Sequence, residues 1–396
     1  MKSRRHEAKE LLARLVSCPS AGPSPGGAAP AGEAAMADLL ASIVKPWGAV
    51  TRKVPIAPGR YNFIARFPGG GPRTLMLEAH ADTVPADGMT IPPFEPAVRG
   101  GRLYGRGSCD TKASLAAMLL AIRGVLESGQ RPQATLYFVA TGCEETGGIG
   151  ARRLVADGFR PDAAVIGEPT DLDIVCAHKG AYRCRVTAIG RAAHSSDPSR
   201  GISAIAGMAR VVQALEGLLA RRATRARCGS SGARSNVTRR SRVGLVATVS
   251  VGTIRGGTQV NVVADRCEIE VDRRTLPGET HEQVAAEIRR AVDAAGKAGP
   301  RCRYEFKAYE WYPAFEEDRR GPPARLVAAA ARKVLGRARF KAVPWASNAG
   351  IFREAGIPCI VFGPGSIRQA HTTDEYVDLE QVAAAARVYA EIIRTF

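Results

Sequence analysis

Residues 75–85 read L-M-L-E-A-H-A-D-T-V-P. The run starts apolar behind a Gly- and Pro-bearing stretch and turns polar at His80, so Thr74 to Glu78 reads as a buried strand ending at His80. In an open α/β sheet, the carboxyl edge reached there is where ligands bind. Downstream, Ala113 to Glu127 is apolar at helical spacing, and Thr135 to Ala140 and Ala163 to Ile166 are further short apolar runs. Strand and helix alternate, which predicts an α/β domain with a mainly parallel sheet and helices on both faces. Upstream, a first amphipathic helix is expected around Arg5 to Val16. An irregular Pro/Gly/Ala/Ser-rich segment, Pro19 to Glu33, and a helix from about Ala34 to Val44 follow.

From about Gly180 the texture changes. Alternating strands are expected over Tyr182–Ile189, Thr248–Ile254, Arg266–Asp272 and Tyr304–Trp311, with helices near Ser203–Leu219 and His281–Ala295. The order strand, helix, strand, strand, helix, strand suits an α+β layer of the split βαβ kind. After Tyr312 the α/β character returns, with a helix over Ala324–Leu335 and a strand over Cys359–Phe362. The expectation is a catalytic domain formed by residues 1–179 and 313–396, interrupted by an inserted dimerisation or lid domain, 180–312.

With 396 residues and 45% hydrophobic content the chain can bury a large core. Charged residues inside Met1 to Val16 argue against a secretory leader, and no run reaches the ~20 apolar residues a membrane-spanning helix needs. A soluble, cytoplasmic protein without a membrane partner is expected. The nine scattered cysteines contain no C-x-x-C pair and suit a reducing compartment, with Cys109 and Cys143 read as packing residues. The net charge is +18, and eight arginines between Arg221 and Arg242, a stretch without Asp or Glu, account for eight of it. The remaining basic residues are interspersed with acids, as on an ordinary solvated surface, so nucleic acid is not the expected partner.

Candidate chemistry gathers at the ends of the expected strands. Asp82 follows His80 by two and can accept its second ring N–H, though a surface His beside a turn Asp also fits. In G-R-G-S-C-D-T-K, residues 105–112, Asp110 sits in a glycine-rich turn before a helix, where an N-cap is the plain reading. T-G-C-E-E-T-G-G, residues 141–148, sets Glu144 and Glu145 side by side directly after a buried strand, which is costly unless they are paired or bind a cation. Glu168 in I-G-E-P-T and His371 in G-P-G-S-I-R-Q-A-H-T each follow another apolar strand. Two imidazoles and three carboxylates past the strand ends of one sheet suit zinc, cobalt or manganese better than calcium or magnesium.

These motifs, in this order over nearly the whole chain, resemble the metallopeptidase family that contains acetylornithine deacetylase, succinyl-diaminopimelate desuccinylase, aminoacylase and glutamate carboxypeptidase. G-R-A-A-H-S-S-D-P-S-R-G-I-S-A-I (190–205), G-T-I-R-G-G-T-Q-V-N-V-V-A-D (252–265) and D-R-R-T-L-P-G (272–278) resemble that family's inserted domain. The resemblance implies two zinc ions bridged by Asp110, one completed by His80 and Glu168 and the other by Glu145 and His371. It makes Glu144 the general base. It also implies a homodimer in which His194, assisted by Asn261, donates to the oxyanion in the partner's active site. Arg274, or Arg273 beside it, would grip a substrate carboxylate. His6, His178 and His281 are assigned to structure or surface.

The chain departs from the family pattern in three places. D-T-K-A stands where D-M-K-G is common, which is expected to alter the following turn; W-A-S-N-A, residues 345–349, stands where an acid is often found; and Arg221 to Gly244 replaces a short apolar connection. The reading that follows is hydrolysis of an N-acyl amino acid, N-acetylornithine first, with desuccinylase, carboxypeptidase or dipeptidase activity as relatives of it. A non-catalytic binder of amino-acid derivatives is the competing class, and the intact ligand set plus Glu144 argues against it.

Overall fold

The computed structural model describes residues 2–22, 32–227, 244–299 and 301–396. By its internal contacts the chain divides into two compact units. Met1–Cys176, Glu316–Lys341 and Ser347–Phe396 form the first, and Ala177–Phe315 with the short return Ala342–Ala346 forms the second.

In the first unit, strand Thr74–His80 lies parallel to Thr135–Thr141 on one side and to Ala163–Ile166 on the other. Cys359–Val361 extends the parallel set beyond Ala163–Ile166. The hairpin Val50–Ala57 and Arg60–Phe67 adds antiparallel strands at one edge, turning through Pro58 and Gly59, where the glycine takes φ 70°. The strand Thr74–His80 is buried on both faces. Leu75, Leu77 and Ala79 join the main core, while Met76 and Glu78 are equally buried between them. That double burial is why its apolar residues run on instead of alternating with polar ones. Helices Lys2–Val16, Gly32–Val44, Lys112–Glu127, Pro322–Leu335 and Leu379–Thr395 pack into that core beside the other strands, so the sheet is a covered, mainly parallel one.

Register carries the fold into the site. His80 pairs with Thr141, and Glu78 pairs with Ile166, so two residues further on His80 stands level with Glu168. Three chain segments therefore leave the same sheet edge together.

The second unit has four strands in the order Thr248–Gly256, Arg266–Thr275, Gly180–Ile189, Arg303–Tyr312, each antiparallel to its neighbours. Helices Ala204–Arg227 and His281–Lys297 pack on one face through Met208, Val211, Ile288 and Val292 against Tyr182, Cys184, Val186 and Ile269. The second helix starts at a reciprocal Thr280–Gln283 capping box. The residues between the core positions point the other way into ion pairs, Arg183 with Asp272 and Glu310, Arg185 with Glu268 and Glu270. This is the split βαβ arrangement. The arginine-rich stretch enters it as the end of helix Ala204–Arg227; its remainder, 228–242, lies outside the described residues, as does most of the segment expected to be irregular after Pro19. Among the described residues no helix is long and apolar enough to cross a membrane, and the eight described cysteines are free.

Two local expectations change. Asp110 is not the helix N-cap: Thr111 holds that position without a side-chain cap bond, and its hydroxyl is spent on the main-chain oxygen of His80 at 2.9 Å. Ala113 does not alter a turn but lies fully buried inside the first turn of helix Lys112–Glu127, where alanine is a better helix residue than glycine.

Candidate metal centre

The predicted ligands come from different structural sources. His80 is the last residue of its strand and Glu168 lies two past Ile166. Glu144 and Glu145 sit on the loop after Thr141. Asp110 does not follow a strand of the main sheet, contrary to expectation. It closes a turn after Arg102–Tyr104, a strand of a separate three-stranded sheet that also holds Tyr376–Asp378. His371 lies well beyond Val361, on the connection leading to Tyr376, with a left-handed φ of 62°.

Distances draw four of these together. His80 Nε2 lies 3.0 Å from Asp110 Oδ1, and His371 Nε2 lies 3.4 Å from Asp110 Oδ2 and 3.0 Å from Glu145 Oε1. One carboxylate thus turns an oxygen toward each imidazole. Ligand atoms of His80, Asp110 and Glu145 all fall within 4.8 Å of one another, the one such group among the described residues. Glu168 is 6% exposed and interacts electrostatically with His80, Asp110 and Glu144, which sets it at the same cluster.

The expected His80–Asp82 arrangement differs in detail. His80 Nδ1 is 2.8 Å from the main-chain oxygen of Asp82, whereas the Asp82 carboxylate is 3.6 Å away. The carboxylate instead accepts from the amides of Glu144 and Glu145, each at 3.0 Å. The two preceding amides are held likewise, Gly142 by Asn62 Oδ1 and Cys143 by Glu33 Oε1, both at 3.0 Å. Four consecutive amides of the tandem-acid loop are therefore fixed by three side chains, while Arg60, 3.0 Å from Glu33, balances its charge. Sequence reasoning missed Asn62 and Glu33, whose burial and amide partners arise only in the folded chain.

The electrostatics favour a cation. Burial raises the carboxyls of Glu144, Glu145 and Glu168, and their negative neighbours add to the effect. For Asp110 burial acts upward too, but hydrogen bonds from His371 and His80 outweigh it and hold the carboxyl low. Hydrogen bonds to Asp110 and Glu145 push His371 up to about 10. His80 is likewise raised, the Asp110 contact overcoming the burial of its ring. A field that drags two imidazoles toward their charged form, framed by carboxylates, is one that a bound cation would satisfy.

The W-A-S-N-A segment is turned inward at its polar residues. Asn348 is 1% exposed and donates to Glu78 Oε1 at 2.9 Å and Thr141 Oγ1 at 3.1 Å, and Ser347 caps the helix Asn348–Glu354.

The remaining candidates belong to the second unit. His194 and Asn261 are both exposed on adjoining loops, joined by a His194–Val262 bridge and a bond from Ser195 N to Asn261 O at 3.0 Å. Arg273 and Arg274 separate cleanly. Arg273 is completely buried and consumed by Glu279 at 2.8 Å and Glu287 at 3.1 Å, whereas the Arg274 side chain is 31% exposed beside Asp272. Arg273 is thereby removed as a group that grips substrate.

Imidazoles and acids from the edge of a covered parallel sheet and from two neighbouring loops thus gather into a candidate metal centre. The chain belongs to peptidase family M20/M25/M40, whose model matches residues 76–395. It is 32% identical over 393 residues to an acetylornithine deacetylase of Photorhabdus laumondii, covering 98% of this chain and 96% of that one. In fold it is similar to an aminopeptidase of Bacillus cereus, with a TM-score of 0.76, 23% identity and 98% of both chains covered. A Bacillus subtilis protein described as a dinuclear metal binding peptidase of family M20 aligns with a TM-score of 0.73 at 18% identity, over 99% of this chain and 98% of that one. The protein is an enzyme that hydrolyses amides.

Proposed function

We propose that this enzyme removes the acyl group from an N-acyl-L-amino acid, N-acetylornithine being the first choice of substrate. The observation that carries this reading is the end-to-end similarity to the deacetylase from Photorhabdus laumondii. On this reading His80, Asp110 and Glu168 would hold one zinc ion and Asp110, Glu145 and His371 a second, with cobalt or manganese as substitutes. Such a pair would supply Lewis acidity, polarising the scissile carbonyl and lowering the pKa of water so that a hydroxide-like nucleophile is available. Glu144 takes the proton of the attacking water and returns it to the departing amine. Its main-chain amide donates to Asp82, which fixes the backbone from which the side chain projects. Arg274 offers a guanidinium fork to the substrate carboxylate.

The test is a panel of N-acetyl, N-succinyl and dipeptide substrates assayed with added zinc or cobalt. The N-acetyl amino acid, acetylornithine above all, is expected to give the highest kcat/KM. A preference for succinyl compounds, C-terminal glutamyl substrates or dipeptides would move the enzyme to another branch of its family. Metal binding without hydrolysis of any of them would favour the non-catalytic binder.

The same reading includes a cytoplasmic homodimer with His194 acting on the partner's substrate. Its support is placement: His194 is exposed beside the loop of Asn261, and its ring is held at Nδ1 by Ser196, 2.7 Å from Oγ and 3.2 Å from N, where an imidazole donor would serve an oxyanion. Mixing inactive His194→Ala with inactive Glu144→Ala chains is expected to restore activity in the heterodimers. No recovery despite demonstrated subunit exchange would remove His194 from that role.

A further inference from the structure

Glu375 is 1% exposed, and both of its carboxylate oxygens are occupied by the turn that presents Asp110. Oε1 accepts from the amides of Cys109 at 2.9 Å and Asp110 at 3.0 Å. Oε2 accepts from the amide of Gly107 at 3.0 Å and from Arg106 Nη1 at 2.8 Å. The main chain joins in, since Glu375 O accepts from Gly105 N at 3.0 Å and Ser108 Oγ at 3.3 Å. Arg106 also reaches Thr372 O at 3.3 Å. Four of the six residues from 105 to 110 thus give their amides to a single residue four positions past His371. Arg106 supplies the counter-charge that lets this carboxylate stay buried.

We propose that Glu375 is a positioning residue of the metal centre, clamping the Asp110 turn to the loop that carries His371 so that the two ligands keep a fixed relation. This rests on reading Asp110 and His371 as ligands. The turn has no sheet ladder to hold it over Gly105 to Asp110, and the Glu375 carboxylate is what its inward amides bond to. A shift of that carboxylate would move the Asp110 amide, and with it both oxygens that face His80 and His371.

Glutamine at this position offers one acceptor oxygen in place of two. Its NH₂ must then oppose either the amides of Cys109 and Asp110 or those of Gly107 and Arg106, and Arg106 loses its counter-charge. Outer partners of metal ligands commonly contribute about 10–100-fold in metal affinity. Glu375→Gln is therefore expected to weaken zinc binding by about that factor, measured by competition with a chromophoric chelator on the apo-protein. Its kcat should recover toward the parent value at saturating zinc, with KM little changed. Arg106→Lys, which keeps the charge but not the guanidinium geometry, should shift affinity in the same direction and provides the test should the first variant fail to fold.

Glu391→Gln serves as the control, because Glu391 is a buried acid of the C-terminal helix paired with Lys333 of helix Pro322–Leu335. It should lower Tm without moving zinc affinity. Unchanged affinity in both Glu375→Gln and Arg106→Lys, or an equal loss in Glu391→Gln, overturns the clamp. Failure of the parent protein to take up two metal ions would instead overturn the ligand reading on which the clamp rests.

Discussion

Glu144→Gln is expected to lower kcat by about 10²–10⁴-fold, the usual contribution of a positioned general base, while metal content stays at the parent level. The two halves of that expectation come from different bonds. The loop is held by its amides, which donate to Asp82, Glu33 and Asn62, so glutamine leaves the backbone and the neighbouring Glu145 where they were. What disappears is a carboxylate able to accept a proton, in a position where burial already raises its affinity for one. Steady-state kinetics alongside metal analysis decide the matter. Substantial turnover in a metal-replete Glu144→Gln preparation would assign the base elsewhere.

Asp110→Ala is expected to empty the centre. Its two oxygens are the ones that face His80 at 3.0 Å and His371 at 3.4 Å, so its removal takes a ligand from both proposed ions at once and leaves the half-buried Glu145 and the buried Glu168 without a shared counter-ion. Metal-ion catalysis of carbonyl chemistry supplies several kcal/mol. At about 1.4 kcal/mol per tenfold in rate, activity should fall by at least about 10³-fold. Chelation of the parent enzyme should produce the same loss, reversed by added zinc or cobalt. The variant should stay inactive under that addition. Two tightly bound metal ions in Asp110→Ala would refute its bridging role.

Much of the first unit was readable because buried parallel strands are written as short, uninterrupted apolar runs. Thr74–His80, Thr135–Thr141 and Ala163–Ile166 each announced themselves that way. The hairpin Val50–Ala57 with Arg60–Phe67 did not, since an edge strand bearing Arg52 and Lys53 lacks the signal. The inserted unit was legible from its element order, and its strand pairing was then restricted to few solutions. At Asp110 the plain N-cap reading and the placement past a main-sheet strand both fail. A glycine-rich stretch before a helix looks alike whether or not its acid caps that helix, and only the hydroxyl partner of Thr111 and the small separate sheet distinguish the cases.

The sequence by itself determined that His80, Glu168 and the tandem acids leave one sheet edge, because strand ends and their register follow from local hydrophobic pattern. Tertiary structure decided the rest. That Arg273 is spent on Glu279 and Glu287, that Asn348 faces Glu78, and that Glu375 binds four donors of the Asp110 turn are all pairings across long stretches of chain or between neighbours whose burial differs. No local pattern encodes them, because which buried donors a carboxylate must satisfy is settled only when the chain has closed around it.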